Sequence, residues 1–259
     1  MDSRPALSLS VVIPAYNESS RMVPTLEKVL AFLQTHAGSY ELLVVDDGST
    51  DQTVPLVEAF CRQAGGVRLL RNRENSGKGV AVRGGILSAR SEYILFTDAD
   101  LSAPIAEAER LLPYLEAGYD IVIGSRAMKP EWITPRQPWY RQRAGQIFNL
   151  CIRALTGLPF RDTQCGFKLF RREAARAIFT AQRISGFGFD VETLYLARKF
   201  GLRSLEVPVH WGHSPSSKVR LLRDSARMFI DLLRIRWNDW RGRYSPSSAE
   251  AKFENIAPQ

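Results

Sequence analysis

The sequence predicts an α/β fold in which a mainly parallel β-sheet is flanked by helices, with an amphipathic helix near the C-terminus. Two patterns predict it. Short apolar runs alternate with segments of helical periodicity through the first half of the chain, which is typical of βαβ units. Polar and charged residues directly follow several of these runs. The composition agrees, since 45% of the 259 residues are hydrophobic and 24% are charged, as in soluble globular proteins.

The elements of the first half follow one another in a regular order. The predicted strands are short apolar runs, most of which end at proline, aspartate or glycine: 9–14, 41–45, 67–70, 93–97 and 121–123. The predicted helices carry apolar residues every three or four positions: 22–36, 53–64, 80–89 and 105–115. Unbroken apolar runs of this kind indicate strands that are buried on both faces.

The second half mixes loops, helices and extended segments. The proline-rich stretch 130–138 is predicted as a loop, 162–170 as a further strand and 205–209 as an extended segment. The predicted helices are 143–155, 172–180, 191–200 and 221–240. The polar tail from Tyr244 to the end is predicted to be disordered.

The charge balance points to an anionic partner. Thirty-five Lys and Arg against 27 Asp and Glu give a formal net charge of +8, which favours nucleic acid, phosphorylated metabolites or anionic lipid. The chain lacks a helix-turn-helix or RNA-binding signature, so we expect no nucleic acid. Three scattered cysteines predict a reducing compartment. No signal peptide or membrane-spanning run is recognisable, so the protein is expected to be soluble or to lie on a membrane surface.

Charged and polar residues cluster after four predicted strands. They are Asn17 and Glu18, Asp46 and Asp47, Asp98 and Asp100, and Arg126. Ligands of open α/β sheets bind in the crevice beyond the carboxyl ends of the strands. One carboxylate at such a position would be read as a helix cap, whereas clusters at four strand ends predict a binding site.

The most specific chemical signal is the pair Asp98 and Asp100, separated by one residue. Two such carboxylates suit Mg²⁺ or Mn²⁺ bound together with substrate phosphates, although a capped turn before the next helix would give the same pattern. The loop 75–79 offers Lys78 to a phosphate or is an ordinary flexible loop. No dinucleotide or P-loop motif, serine-hydrolase elbow or zinc pattern is present.

Several motifs together resemble family 2 glycosyltransferases of the GT-A fold. They are 14–18 (PAYNE), 45–49 (VDDGS), 98–100 (DAD) and 124–126 (GSR), in this order and spacing. In the second half, 162–170 (DTQCGFKLF), 189–192 (FDVE) and 217–218 (SK) are similar to the dolichyl-phosphate β-glucosyltransferase branch. The resemblance covers residues 8–240. It implies a single GT-A domain over 1–243, with a nucleotide-sugar half (8–126), an acceptor half (127–218), a basic amphipathic helix (219–243) and a disordered tail (244–259).

The resemblance also implies roles for individual residues. The nucleotide-sugar donor would be bound by Pro14, Tyr16, Glu18, Val45, Asp47, Asp98, Ala99, Arg126 and Lys218. Asp100 would bind Mg²⁺ or Mn²⁺, and Ser102 stands where the mannosyl branch has a ligating glutamine. Arg143 is expected to bind the acceptor phosphate. Asp162 is the candidate general base, or else it orients Lys168 or the sugar.

The activity implied is an inverting, metal-dependent transfer of glucose from UDP-glucose to a polyprenyl phosphate, dolichyl or undecaprenyl. A phosphate monoester is largely a dianion at pH 7, so such an acceptor barely needs a base. The alternatives are a GDP-mannose or UDP-GlcNAc donor, or a non-catalytic protein of the same fold that binds a membrane surface. The basic helix 221–240 suits peripheral attachment to the cytoplasmic face of an anionic membrane, or packing on the core.

Overall fold

The computed structural model describes residues 7–134, 139–212 and 221–245. Its centre is a seven-stranded sheet with the strand order β3-β2-β1-β4-β7-β5-β8. The strands are β1 (Ser8–Ala15), β2 (Ser39–Asp46), β3 (Val67–Arg71), β4 (Tyr93–Thr97), β5 (Ile121–Ser125), β7 (Phe167–Arg171) and β8 (Ser204–Pro208). Only β7 runs antiparallel to its neighbours among these seven, so the predicted mainly parallel sheet is confirmed.

Helices cover both faces of the sheet. They are α1 (Met22–His36), α2 (Thr53–Gln63), α3 (Lys78–Ser88), α4 (Ala108–Glu116), α5 (Trp139–Thr156), α6 (Arg172–Ala181), α7 (Phe189–Lys199) and α8 (Leu221–Trp240). One hydrophobic core joins the sheet to α1, α2 and α4, and a second joins it to α3, α5, α6, α7 and α8. Neighbouring strand residues such as Val11 and Val12 belong to different cores, which explains the unbroken apolar runs.

The predicted strand 162–170 is wrong in its first half, because strand β7 begins only at Phe167. The preceding segment is a turn. The carboxylate of Glu206 accepts the main-chain N–H groups of Arg161 (2.9 Å) and Asp162 (2.8 Å), which replaces the pairing that a neighbouring strand would give. This turn places the Asp162 side chain next to the end of β5.

Two smaller differences concern loops. Within the predicted loop 130–138, a 3₁₀ turn (Pro130–Trp132) leads into β6 (Ile133–Thr134), which pairs with β9 (Trp211–Gly212) in a two-stranded parallel ribbon. Tyr244, the first residue of the predicted tail, is 2% exposed, and its hydroxyl donates a hydrogen bond to Glu192 at 2.5 Å. Residues 246–259 of the tail lie outside the described residues.

Candidate active site

One asparagine ties together the loops that follow β1 and β2. Asn17 has a left-handed backbone conformation (φ 54°), which asparagine tolerates better than most residues. Its side-chain oxygen accepts the main-chain N–H groups of Thr50 (2.8 Å) and Asp51 (3.3 Å). These bonds fix the loop that carries Tyr16 and Glu18, two of the predicted donor contacts.

The predicted donor contacts of this region differ in accessibility. The Tyr16 side chain is exposed, and Pro14 and Glu18 are half-buried at the same strand end. Val45 is buried and packs within the core against α3, so its side chain does not face the crevice. Ala99 is buried as well. A buried side chain leaves the main chain of Val45 as the part that can reach a nucleotide, and its predicted place near the base stays a prediction.

Asp47 positions the loop between β3 and α3. It is buried, and its carboxylate accepts hydrogen bonds from Asn72 Nδ2 (2.8 Å) and from the main-chain N–H groups of Ser76 (3.0 Å) and Gly77 (2.8 Å). Gly77 has a φ of 103°, a conformation that favours glycine. Asp47 thus fixes the start of α3, and its predicted contact with the base stays a prediction.

Asp98 and Asp100 lie in a tight turn directly after β4. Lys78 at the start of α3 places its Nζ 2.6 Å from Asp98 Oδ1. Asp100 Oδ1 accepts the main-chain N–H of Ser102 at 3.0 Å. Leu101, which follows Asp100, has a φ of 45°, which is uncommon for leucine and marks a tightly held turn. The turn fixes both carboxylates at the carboxyl edge of the sheet.

Lys78 provides the positive charge that balances this turn. Burial alone would lower its pKa, but the carboxylates of Asp98, Asp190 and Asp100 raise the pKa above its usual value. The ammonium also lies 5.3 Å from the centre of the Phe96 ring, a favourable cation–π distance. Lys78 is therefore held in place and charged, which an ordinary flexible loop at 75–79 would not provide.

Arg126, directly after β5, is locked onto Asp162. Arg126 donates to the Asp162 carboxylate from Nε (2.7 Å), from its second terminal nitrogen (2.8 Å) and from its main-chain N–H (2.9 Å). Gln164 donates its main-chain N–H to the same carboxylate at 3.3 Å. Burial alone would raise the pKa of Asp162, but Arg126 lowers it below its usual value.

This geometry argues against the predicted catalytic role of Asp162. Both of its carboxylate oxygens accept hydrogen bonds, and a lowered pKa weakens a general base. Lys168 forms its ion pair with Asp190, and the alternative roles of Asp162 in orienting Lys168 or the sugar stay predictions. In the structure, Asp162 orients Arg126.

Three residues of this region were not recognised as site residues from the sequence. Lys168 and Asp190 form a buried ion pair, in which the ammonium also donates to the Cys165 carbonyl at 2.6 Å. The Glu206 carboxylate accepts a hydrogen bond from the Ser125 hydroxyl at 2.6 Å, in addition to those from the main chain of residues 161 and 162. Each of these charged residues lies within an apolar run of the sequence. Because burying a charge is costly unless it is paired, such a position indicates a buried ion pair or hydrogen-bond network.

Two predicted residues are not placed at the level of their side chains. Lys218 lies outside the described residues. Arg143 belongs to α5, whose position is described at this point only for the main chain. Gly212, the last described residue before Lys218, donates its N–H to the Ser102 carbonyl at 2.6 Å. The segment that carries Lys218 therefore starts next to the turn of Asp100.

The carboxylates after β4 fit a divalent cation that shares its coordination with a substrate. A Cβ at Gly166 would lie 2.0 Å from Asp98 Oδ2, so glycine at this position makes room for that carboxylate. In the part of the chain that the structure describes, no three His, Cys, Asp or Glu side chains gather as a complete ligand set. Mg²⁺ commonly uses one or two carboxylates and completes its shell with phosphate oxygens and water, an arrangement that Asp98 and Asp100 allow.

Solved structures with the same architecture belong to glycosyltransferases. Mannosyl-3-phosphoglycerate synthase from Rubrobacter xylanophilus superposes with a TM-score of 0.65 at 21% identity, covering 95% of this chain and 80% of the other. Glucosyl-3-phosphoglycerate synthase from Mycobacterium tuberculosis, in complex with Mn²⁺, UDP-glucose and phosphoglyceric acid, gives 0.65 at 19% identity, covering 94% and 82%. The fold is the GT-A fold of nucleotide-sugar-dependent glycosyltransferases.

Sequence comparison defines the family. The profile described as "Glycosyl transferase family 2" matches residues 10–179, and the chain belongs to this family of glycosyltransferase enzymes. The dolichyl-phosphate β-glucosyltransferase of Drosophila melanogaster is 39% identical over 248 residues, which cover 91% of this chain and 76% of that protein. The protein of the same name from Homo sapiens is 36% identical over 249 residues, covering 90% and 76%.

Proposed function

We propose that this chain transfers glucose from UDP-glucose to a polyprenyl phosphate such as dolichyl phosphate, with inversion at the anomeric carbon. The observation that carries the proposal is that Asp98 and Asp100 follow β4 and Arg126 follows β5, two parallel strands on either side of β7 whose carboxyl ends lie at the same edge of the sheet. The names of the similar proteins in Drosophila and Homo sapiens support the acceptor and the sugar. The donor and the metal class are supported by the Mycobacterium enzyme of the same fold, whose structure was solved with Mn²⁺ and UDP-glucose.

The residues divide into those that bind the donor and those that hold them in position. Tyr16 and Glu18 would line the pocket for the uridine, and Asp98 would contact the nucleoside. Asp100, with Asp98 beside it, would hold Mg²⁺ or Mn²⁺. When bound, the cation supplies positive charge that stabilises the leaving diphosphate. Lys218, from the segment that begins beside this turn, is proposed to contact the same diphosphate.

Arg126, which follows β5, is proposed to contact the diphosphate. Asp162 holds its guanidinium from one side in a fixed orientation, and Arg126 is still partly exposed. A group that is oriented before the substrate arrives loses little energy in reorganisation, which is the basis of electrostatic stabilisation in enzymes. Asp162 therefore acts as a positioning residue for Arg126.

The transfer itself needs no activated base. An oxygen of the acceptor phosphate attacks the anomeric carbon, the bond from that carbon to the UDP oxygen breaks, and UDP leaves with the bonding electrons. Because the acceptor is largely a dianion at neutral pH, no proton has to be removed from it. The main tasks of the protein are positioning and charge compensation, with Arg143 as the proposed acceptor-phosphate contact.

The C-terminal helix supports a lipid acceptor. One side of α8 packs on the core through Leu232 and Ile235, so part of the packing interpretation is confirmed. The other side exposes an apolar stripe formed by Phe229, Ile230, Leu233, Trp237 and Trp240. We propose that this stripe lies in the interface of the cytoplasmic leaflet, with arginines of the helix near the anionic headgroups. No helix among the described residues is long and apolar enough to cross a bilayer.

The direct test is a transfer assay with purified protein, dolichyl phosphate in detergent and Mg²⁺ or Mn²⁺. UDP-glucose, GDP-mannose and UDP-GlcNAc are offered separately, and the lipid product is separated and its anomeric linkage determined. We expect a β-linked glucosyl lipid from UDP-glucose only. Transfer from GDP-mannose or UDP-GlcNAc alone would refute the donor assignment, and no transfer from any donor would favour the non-catalytic alternative.

A further inference from the structure

Beside the exposed stripe of α8 the structure contains a polar cavity of about 590 Å³. It lies between α8 and the loop 183–188. Three arginines line it: Arg183, Arg234 and Arg243. The roles assigned above to the donor and the acceptor do not involve any of them.

The one carboxylate in the lining is engaged by its surroundings. Asp231 Oδ1 lies 3.1 Å from a terminal nitrogen of Arg234, and the main chain of Gly188 also donates to this carboxylate. A Cβ at Gly188 would lie 2.5 Å from Asp231 Cβ, so helix and loop are in close contact. Behind the wall, the buried carboxylate of Glu192 accepts the main-chain N–H groups of Arg183 and Ile184. Three arginines against these two engaged carboxylates leave an excess of positive charge for an anionic ligand.

The chemistry of the lining favours a phosphate group. Guanidinium groups bind phosphate oxygens through paired N–H donors, which makes arginine well suited to this anion. Ser185 and Asn238 add short polar side chains to the wall, and Asn238 Oδ1 accepts a hydrogen bond from Arg243 at 3.1 Å. Such a lining offers several donors at once to a single phosphate.

The position of the cavity indicates where the phosphate comes from. Trp237 belongs both to the cavity wall and to the exposed stripe, so the cavity opens beside the apolar surface. The guanidinium of Arg241 lies 4.5 Å from the Trp237 ring centre, directly after the same helix. When an amphipathic helix lies in the interface, groups that border its apolar side reach the headgroup region.

We propose that this cavity binds the phosphate headgroup of an ordinary membrane lipid, as a site separate from the one for the transferred substrates. The proposal rests on the membrane contact of α8 proposed above. The bound headgroup would fix the orientation of the protein on the membrane. The loop 183–188 beside the cavity also contacts α3, since the Ser185 carbonyl accepts the N–H of Gly79 at 2.7 Å. A lipid phosphate in the cavity would thus bind next to the loop that supports Lys78.

The test compares two double variants with equal loss of charge. The cavity variant combines Arg183→Gln with Arg243→Gln. The control combines Arg227→Gln with Arg241→Gln, which are exposed residues of the α8 region outside the cavity lining. Co-sedimentation is measured with vesicles of phosphatidylcholine alone and with vesicles that contain one fifth phosphatidic acid, without any polyprenyl phosphate.

We expect both double variants to bind neutral vesicles like the wild type. On phosphatidic-acid vesicles the cavity variant should bind at least about fivefold more weakly than the control variant. This exceeds the general attraction of basic residues to an anionic surface, which both variants lose equally. Equal losses in the two variants would overturn the headgroup site and leave the membrane contact standing.

Two further measurements distinguish failure of the membrane contact from failure of the lipid as the source of the phosphate. A wild type that binds none of the vesicles would overturn the membrane contact and the headgroup site together, whereas transfer in detergent would still test the enzyme itself. The second measurement is thermal stabilisation by millimolar glycerol phosphate. If it is present in the wild type and lost in the cavity variant, while the two double variants bind vesicles equally, the ligand is a free phosphate compound and the lipid source is overturned.

Discussion

The pair formed by Arg126 and Asp162 shows how single residues order this site. Asp162 is buried and its partner is partly exposed, so the pair lies at the boundary between core and crevice. Removing one partner of such a pair leaves the other poorly compensated, which costs more than the pair contributes when intact. The orientation of the Arg126 guanidinium depends on this one carboxylate.

Replacing Asp162 by asparagine should therefore lower both stability and donor binding. We expect a loss of up to ~3 kcal/mol in the free energy of unfolding, measured by urea denaturation, and a higher KM for UDP-glucose. The control Glu109→Gln removes a carboxylate from an exposed pair with His36 and should change stability by less than ~0.5 kcal/mol. If Asp162 were the general base instead, kcat would fall by orders of magnitude while the KM for UDP-glucose stayed unchanged.

The pH dependence of this difference has a defined sign. The pKa of Asp162 is lowered from an ordinary value of 3.8, so its contribution to stability is complete above that pH and is lost as pH falls through the lowered value. The stability gap between wild type and Asp162→Asn should be constant from about pH 5 to 7 and shrink below about pH 3.8. A gap that widened in acid would contradict the ion pair.

Among the elements, α3 is the one whose start depends most on close packing. A Cβ at Gly79 would lie 2.5 Å from the Ile184 carbonyl oxygen, whereas a Cβ at Gly84 in the same helix would meet nothing within 4 Å. The two glycines therefore form a matched pair. One holds the loop 183–188 against the site, and the other is exposed.

Gly79→Ala should displace this loop and reduce transfer, while Gly84→Ala should stabilise the helix by roughly 0.5–1 kcal/mol, the usual gain of alanine over glycine. Thermal unfolding and the transfer assay measure both effects. Equal stabilisation by the two substitutions would show that the contact between α3 and the loop 183–188 is not tight.

The sequence predicts the bounds of helices well where the apolar periodicity extends over many residues. The helices 22–36 and 221–240 were predicted at the bounds observed for α1 and α8. The local pattern predicts a strand at 162–166, and it gives no sign of the turn because the turn depends on Glu206, more than forty positions away. The buried position of Tyr244 is equally hidden from the local pattern, since its partner Glu192 is distant in sequence.

The location of the candidate site can be predicted from the sequence, but its ion pairs and hydrogen bonds cannot. Strand order brings the ends of β1, β2, β4 and β5 to one edge, so residues such as Asp100 and Arg126 could be located from their motifs. Which charge pairs with which could not be predicted, because Lys78–Asp98 and Lys168–Asp190 join residues from separate elements. Pattern and spacing carry no information about side-chain distances across a fold.

For the molecule as a whole, α8 separates a packed side from an exposed apolar side. The exposed stripe includes Trp237 and Trp240, the second of which is 76% exposed. Large contiguous apolar surface of this kind marks an interaction site more often than ordinary surface. Its position beside a basic cavity is the basis of the proposed contact with a membrane surface.

Leu233→Ser combined with Trp240→Ser should weaken binding to anionic vesicles by about tenfold or more, because both side chains would otherwise be buried in the interface. Transfer to dolichyl phosphate in detergent should change little. Vesicle co-sedimentation and the detergent assay measure the two effects side by side. Unchanged vesicle binding would contradict the assignment of the stripe to the membrane.

The proposed function requires the strand-end carboxylates to bind UDP-glucose through a divalent cation. The most direct measurement is thermal stabilisation by UDP-glucose with and without Mn²⁺, in the wild type and in Asp100→Asn. A ligand that binds only the folded state raises its stability with occupancy. We predict a clear shift in the wild type that requires Mn²⁺, and a shift in Asp100→Asn that is small and independent of the metal. An equal, metal-dependent shift in both proteins would contradict the claim.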